Sequence, residues 1–163
     1  MREQLSCMEN IGMMIISHRG NLNGPIPEQE NTEEYIYVAI YAGYTVEIDV
    51  RLEYDRLWLG HDCAEYYVNL EWLIFLKNHL WIHAKNFAAL NVLIRHPLKV
   101  FFHEHEKHTI INNCGLIWSH DISGAAEHSI IPLIDEKSIY LFQPKPVYGI
   151  CTDYTNIVKE QLY

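Results

Sequence analysis

"MMIISHRGNLNGPIPEQENTEEY", residues 13–35, passes from an apolar segment through His18, Arg19 and Gly20 into a loop with Pro and Gly, then to a helix start. Met13–Ser17 reads as a strand buried on both faces, because its apolar residues run on without polar alternation. Asn31 or Thr32 can cap a helix whose first turn carries Glu33 and Glu34, where carboxylates favour the helix dipole. The stripe Tyr35/Ile36, Ala39/Ile40 and Tyr41 continues that helix as far as Gly43, a glycine stop. The strand thus delivers a histidine and an arginine straight into a loop.

The same order repeats downstream. "TVEIDVRL" (45–52) reads as a strand, and "EYDRLWLGHD" (53–62) as a hairpin turning near Asp55. A helix over about Val68–Asn78 precedes the strand "LWIHA" (80–84). A helix over Phe87–Arg95, ended by Pro97, precedes the strand "KVFFHEH" (99–105). Beyond residue 106, "GLIWSH", "HSIIPLI", "SIYLFQ" and "VYGICTD" read as further strands with no good helix between them. Alternating strands and helices predict a parallel sheet with right-handed crossovers. The eight strand segments predict an α/β fold, a compact and partly stripped (β/α)8 TIM-like barrel with helices missing in its second half. A full barrel of that kind takes roughly 200–250 residues, and an open doubly wound sheet is the other topology of this pattern. With no linker or low-complexity stretch, residues 1–163 read as one domain.

Composition narrows the chemistry. A chain with 49% hydrophobic and 20% charged residues is globular in character. A formal charge of −9 argues against nucleic acid as partner, because no basic face is present to displace counterions. An anionic ligand would then need a metal ion or a few focused cations. Cys7, Cys63, Cys114 and Cys151 are scattered without a C-x-x-C pair, so reduced thiols and a cytoplasmic location are expected. Residues 1–12 have no signal-peptide h-region, and no apolar run is long enough for a transmembrane segment. The sequence carries no signal for an oligomeric state.

Polar residues collect at the carboxyl ends of the predicted strands, where parallel α/β folds gather their ligands: His18-Arg19, Glu47 and Asp49, His61-Asp62, His83 and Lys85, His103, His120-Asp121, and Thr152-Asp153. The i, i+2 spacing of Glu47 and Asp49 aims both carboxylates to one face of a strand. Two buried carboxylates cost several kcal/mol unless a cation neutralises them, and a divalent metal does so economically. The other reading is an exposed edge on which Arg51 pairs with the acids. His18 and His61 suit general acid–base work. Arg19 can fork onto phosphate oxygens, and Lys85, on the face of His83, adds a second positive charge.

His18-Arg19-Gly20, Glu30-Asn31-Thr32, Gly43 followed by Glu47-x-Asp49, and His61-Asp62 together resemble the glycerophosphodiester phosphodiesterase family, within the phospholipase C-like barrel phosphodiesterases. The resemblance spans about residues 13–86, and the chain looks like a short variant of that superfamily. It implies a metal-dependent phosphodiester hydrolase acting on a small phosphodiester. His18 and His61 would be the acid–base pair, Arg19 and Lys85 the substrate contacts, and Glu47 and Asp49 the ligands of Mg²⁺ or Ca²⁺. In such enzymes the substrate's neighbouring hydroxyl usually attacks first, and water can then open the cyclic phosphate. Where the family generally has a third liganding Glu, two residues before the lysine, this chain has His83, which shifts preference towards Mn²⁺ or Zn²⁺. Glu104 is the alternative third ligand. The chain also lacks the extra segments that shape the substrate groove in longer members.

Two other readings accompany this one. In "FFHEHEKHT" (101–109), His103 and His105 share a strand face and could take Zn²⁺ with His83 or His120, or His103 could be a buried, hydrogen-bonded residue at the barrel mouth. The altered third ligand and the short second half also suit a degenerate barrel that binds a phosphorylated ligand or a protein partner without turnover. Cys63 reads as a bystander and the four tryptophans as core.

Overall fold

Strand β1 (Met14–His18) lies between two parallel neighbours, β2 (Thr45–Glu53) and β10 (Gly149–Thr152). The computed structural model describes residues 12–143 and 145–163, so Cys7 and most of the N-terminal stretch lie outside the described residues. Parallel pairing continues from β2 to β5 (Leu80–Ala84) and β6 (Val100–Phe101), and from β10 to β9 (Ser129–Pro132) and β8 (Ile117–Ser119). Beyond its contacts with β1 and β5, β2 bends into an antiparallel hairpin with β3 (Arg56–Leu59), which pairs in turn with β4 (Tyr66–Tyr67). The hairpin turns through Tyr54 and Asp55, both at positive φ, the backbone that a two-residue turn requires. β7 (His108–Ile110) runs antiparallel to β8.

The sheet curls. Its far ends approach where the Asn112 N–H donates to the Val100 carbonyl at 2.8 Å and the Phe101 and Trp118 rings stack with centroids 4.2 Å apart. Inward-facing side chains alternate along each strand, and the lower layers are apolar: Ile16, Trp81, Phe101, Trp118, Ile130 and Cys151 make one buried cluster. One step further along the strands, the same faces carry His18, Glu47, Asp49 and His83. The register sets His18 beside Glu47 and Asp49 beside His83. An apolar plug below and a polar layer above follow from this parity.

Outward-facing residues pack under helices. α1 (Glu33–Tyr41), α2 (Leu70–Phe75) and α3 (Phe87–Leu93) cover Val46, Ile48, Val50, Ile82 and Val100. Thr32, Asn69 and Asn86 cap them, each accepting a hydrogen bond from a backbone N–H of the first turn. α4 (Glu136–Leu141) and α5 (Thr155–Leu162) bury Ile139 and Val158 against Ile131 and Ile150.

These last two helices correct the sequence reading. "SIYLFQ" is not a strand: Asp135 accepts from Ser138 N–H and nucleates α4. A short apolar run has no period of its own, so the cap decides its conformation. α5 escapes a periodicity search because its mean hydropathy is low and little of it is buried beyond Thr155 and Val158. The second half is therefore not bare of helices. The observed architecture is a mixed α/β fold on one curled sheet, with five α-helices among the described residues. The strand read over 99–105 is also shorter, ending at Phe101.

Candidate metal and phosphate site

Two tight backbone turns build the site. After β1, Arg19 takes a left-handed backbone (φ 55°), and Asn31 does so across the loop (φ 61°). Arg19 N–H donates to the Glu47 carbonyl at 2.8 Å, and Asn31 N–H donates to the Arg19 carbonyl at 3.1 Å. Such backbones cost about 1 kcal/mol or more for a residue with a β-carbon, and they concentrate where a side chain must be aimed. Between them Gly20 is obligatory: at φ 95° an added Cβ would sit 2.7 Å from the Tyr35 ring. Gly60, at φ 141°, turns the chain after β3 so closely that a Cβ would collide with the Cys63 carbonyl. Arg51 holds the resulting loop, donating to the His61 carbonyl at 2.7 Å.

Glu47 and Asp49 are 2% and 0% exposed, and with His83 they form the group of possible ligands whose atoms lie within 4.8 Å of one another. Arg51 pairs with Glu53 rather than with these acids, so the exposed-edge reading of β2 does not hold. His83 Nδ1 stands 3.2 Å from Asp49 Oδ1 and 3.9 Å from Glu47 Oε1. Arg19 Nε is 2.8 Å from Asp49 Oδ2, and Lys85 Nζ is 3.7 Å from Asp49 Oδ1. Asn31 reads Asp49 twice, donating to Oδ2 at 3.1 Å and accepting the Asp49 N–H at 3.0 Å. Even so, Glu47 Oε2 and Asp49 Oδ1 are buried without a hydrogen bond, as is Arg19 Nε, whose contact with Asp49 is electrostatic and misaligned.

The two acids are driven apart electrostatically. Burial, reinforced by the neighbouring Asp49, pushes the Glu47 carboxyl up to about 7. Burial would raise Asp49 too, but the adjacent His83 ring and the Arg19 guanidinium hold it below the usual carboxylate range. A carboxylate that must shed a proton beside one that has already shed its own is a place where a cation replaces the proton. The donor set of two carboxylates and one imidazole fits a divalent ion with open positions.

His18 stands over this cluster. Its Nδ1 lies 2.7 Å from Asp153 Oδ1, which Asn21 also holds at 2.8 Å, and its Nε2 is 3.8 Å from Glu47 Oε2. Burial opposes protonation of His18, but the bond to Asp153 and the charge of Glu47 outweigh it, and its pKa lies above the ordinary value. His61 is more open, its side chain 40% exposed, with Nδ1 2.8 Å from Asp62. His18, Arg19, Glu47, His61, His83 and Lys85 all line one cavity of 160 Å³, which also reaches His103 and His120. A wider cleft of 520 Å³ opens from His18 and His61 past Pro25, Pro27, Glu30 and Glu65.

All seven residues singled out for catalysis, substrate contact and metal ligation therefore meet in one place. Glu104 does not join them: it is exposed beyond the end of β6. His105 is exposed there too, and His103 meets His120 instead. The half-buried His103 is pushed down to about 4 by burial and by the neighbouring His83 and His120 rings. Asp153 and Glu30, named from the sequence only as a strand-end residue and as part of a motif, and Asn21, not named, orient His18 and Arg19. The signal for Asp153 was its place two residues beyond the inward-facing Cys151. No protein-family model matches the chain, and no curated protein or solved structure matches it either.

Proposed function

We propose that this chain is a metal-dependent phosphodiester hydrolase of the glycerophosphodiester phosphodiesterase type, with Glu47, Asp49 and His83 as the metal ligands. The observation that carries this reading is the pair of buried oxygens, Glu47 Oε2 and Asp49 Oδ1, left without hydrogen bonds in a cavity shared with two histidines, an arginine and a lysine. On this reading the curled sheet is a small (β/α)8-type barrel, shortened in its second half, with the reaction at the carboxyl ends of its strands.

A divalent cation held there would supply charge stabilisation at the phosphoryl oxygens and ease deprotonation of the attacking hydroxyl. Arg19 and Lys85 add fixed positive charge for the phosphate's remaining oxygens. Asp153 holds the ring of His18 through Nδ1, leaving Nε2 for proton transfer, and Asp62 pairs in the same way with Nδ1 of the more exposed His61. One imidazole takes the proton of the attacking hydroxyl as its oxygen bonds to phosphorus. The other protonates the leaving oxygen as the old P–O bond breaks. Two histidines suit this exchange because an imidazole ring nitrogen can both accept and donate a proton.

The test is phosphorus NMR of a glycerophosphodiester incubated with the protein and Mg²⁺, Ca²⁺, Mn²⁺ or Zn²⁺ in turn. Appearance of a cyclic phosphate or monoester is expected with at least one metal. His18→Ala and His61→Ala should each slow it by roughly 10²–10⁴-fold without unfolding the chain. Saturable binding of glycerol phosphate with no turnover under any metal would replace the enzyme reading with that of a non-catalytic binder.

A further inference from the structure

The rim of the cavity holds two histidines that the proposed reaction leaves unused. His103 follows β6 with the inward parity of Phe101, and His120 follows β8 with the parity of Trp118. Because Phe101 and Trp118 stack at 4.2 Å, the next inward residues of the two strands are brought together, their ring centroids 4.3 Å apart and their planes inclined at 64°. His103 Nε2 and His120 Nε2 lie 3.0 Å apart, and among the described residues neither atom has another hydrogen-bond partner. His103 is also stacked on His83, centroids 4.5 Å apart and planes within 12°.

A tetrahedral ion bound at the usual zinc–nitrogen distance of about 2.0–2.1 Å separates two imidazole nitrogens by only about 3.3 Å. The pair is already close to that spacing, with His103 stacked on His83 and no carboxylate occupying either Nε2. We propose that His103 and His120 bind a late first-row divalent cation, Zn²⁺ foremost, through their Nε2 atoms, as a second metal position distinct from Glu47, Asp49 and His83. Two imidazoles without a carboxylate select such an ion over Mg²⁺ or Ca²⁺, which take oxygen ligands. Its remaining coordination positions open to the cavity, for water or an anionic oxygen. The site stands whether or not the cavity turns over a diester.

The experiment is calorimetric titration of metal-stripped full-length protein with Zn²⁺ at pH 7.5, paired with Co²⁺ absorbance as a measure of imidazole coordination. The wild type should bind two equivalents of Zn²⁺. His120→Ala, which alters an exposed ring and leaves the core intact, should lose one equivalent or weaken it at least tenfold, and His103→Ala should do the same. Glu47→Gln should keep the equivalent that those variants lose. Mg²⁺ binding should be unchanged in His120→Ala. Absence of any Zn²⁺ equivalent that either histidine substitution removes or weakens, whatever the total bound by the wild type, would overturn the proposal. So would loss of that same equivalent in Glu47→Gln, which would mean one shared site. None of these readings depends on hydrolysis, so the proposed reaction and the rim site fail separately.

Discussion

Glu47 is the residue on which the site's energetics turn. It is buried beside another acid, and its carboxyl is raised from an ordinary 4.5 to about 7. A carboxyl raised in this way binds its proton more tightly in the native chain than in the unfolded one. Its contribution to stability is complete below about 4.5 and is lost as pH rises through about 7. His18, also raised, acts in the same direction, while the lowered His83, His103 and His120 add stability as pH climbs towards their usual 6.5. The difference between wild type and Glu47→Gln reports Glu47 together with the part of the His18 shift that its charge causes. Thermal melts of metal-free protein from pH 4.5 to 7.5 should show the wild type losing stability relative to Glu47→Gln as pH rises. A difference that stays flat across that window would show that Glu47 ionises like an exposed acid. At this scale the sequence was most legible, because i, i+2 parity on a strand decides which side chains share a face. What it hid were the partners that come from distant segments. Asp153 reaches His18 across 135 positions.

Elements hold these residues in register through a few side chains that grip backbone. Asn86 is the clearest. It caps α3 through Ala89 N–H, accepts Leu52 N–H, and donates to the Leu52 carbonyl. One residue thus ties the end of β5, which carries Lys85, to the bent end of β2. Asn86→Ala removes the cap and both ties, and urea unfolding should register a loss of about 1–3 kcal/mol. A change below about 0.5 kcal/mol would mean that the strand ends are held by other contacts. Long, patterned elements such as α1 and β2 were readable within a residue or two. The failures fell on short ones: six-residue α4, read as a strand, and polar α5, not read at all. α4 is too short to show a period, and α5 sets its apolar Ile157, Val158 and Leu162 in a mostly polar stretch; each is stabilised by what it packs against.

Across the whole molecule, the curled sheet converts local parity into a single chamber. Apolar residues of the inner face fill its lower part, and on most strands (β9, with Pro132, excepted) the next inward residue is polar, so the chemistry gathers at one end. The curl itself was not legible, because it depends on Phe101 meeting Trp118 and on Asn112 reaching Val100, contacts between segments with no shared motif. The repeated polar strand ends nevertheless mark the mouth of the chamber in the sequence itself. The acidic chain, at −9, also needs a cation there if it is to hold a phosphate, and the buried acids are the only ligand group of three within 4.8 Å among the described residues.

The most direct measurement is therefore a Mn²⁺ titration at pH 7.5, followed by the loss of the free-ion electron paramagnetic resonance signal. Mn²⁺ is chosen because, among the first-row divalent ions from Mn²⁺ to Zn²⁺, it favours imidazole pairs least and so reports the carboxylate cluster. The expected result is one bound equivalent in the wild type, lost in both Glu47→Gln and Asp49→Asn while circular dichroism shows each variant folded. Binding that survives both substitutions, or no binding by the wild type, would contradict the claim that Glu47 and Asp49 hold a cation.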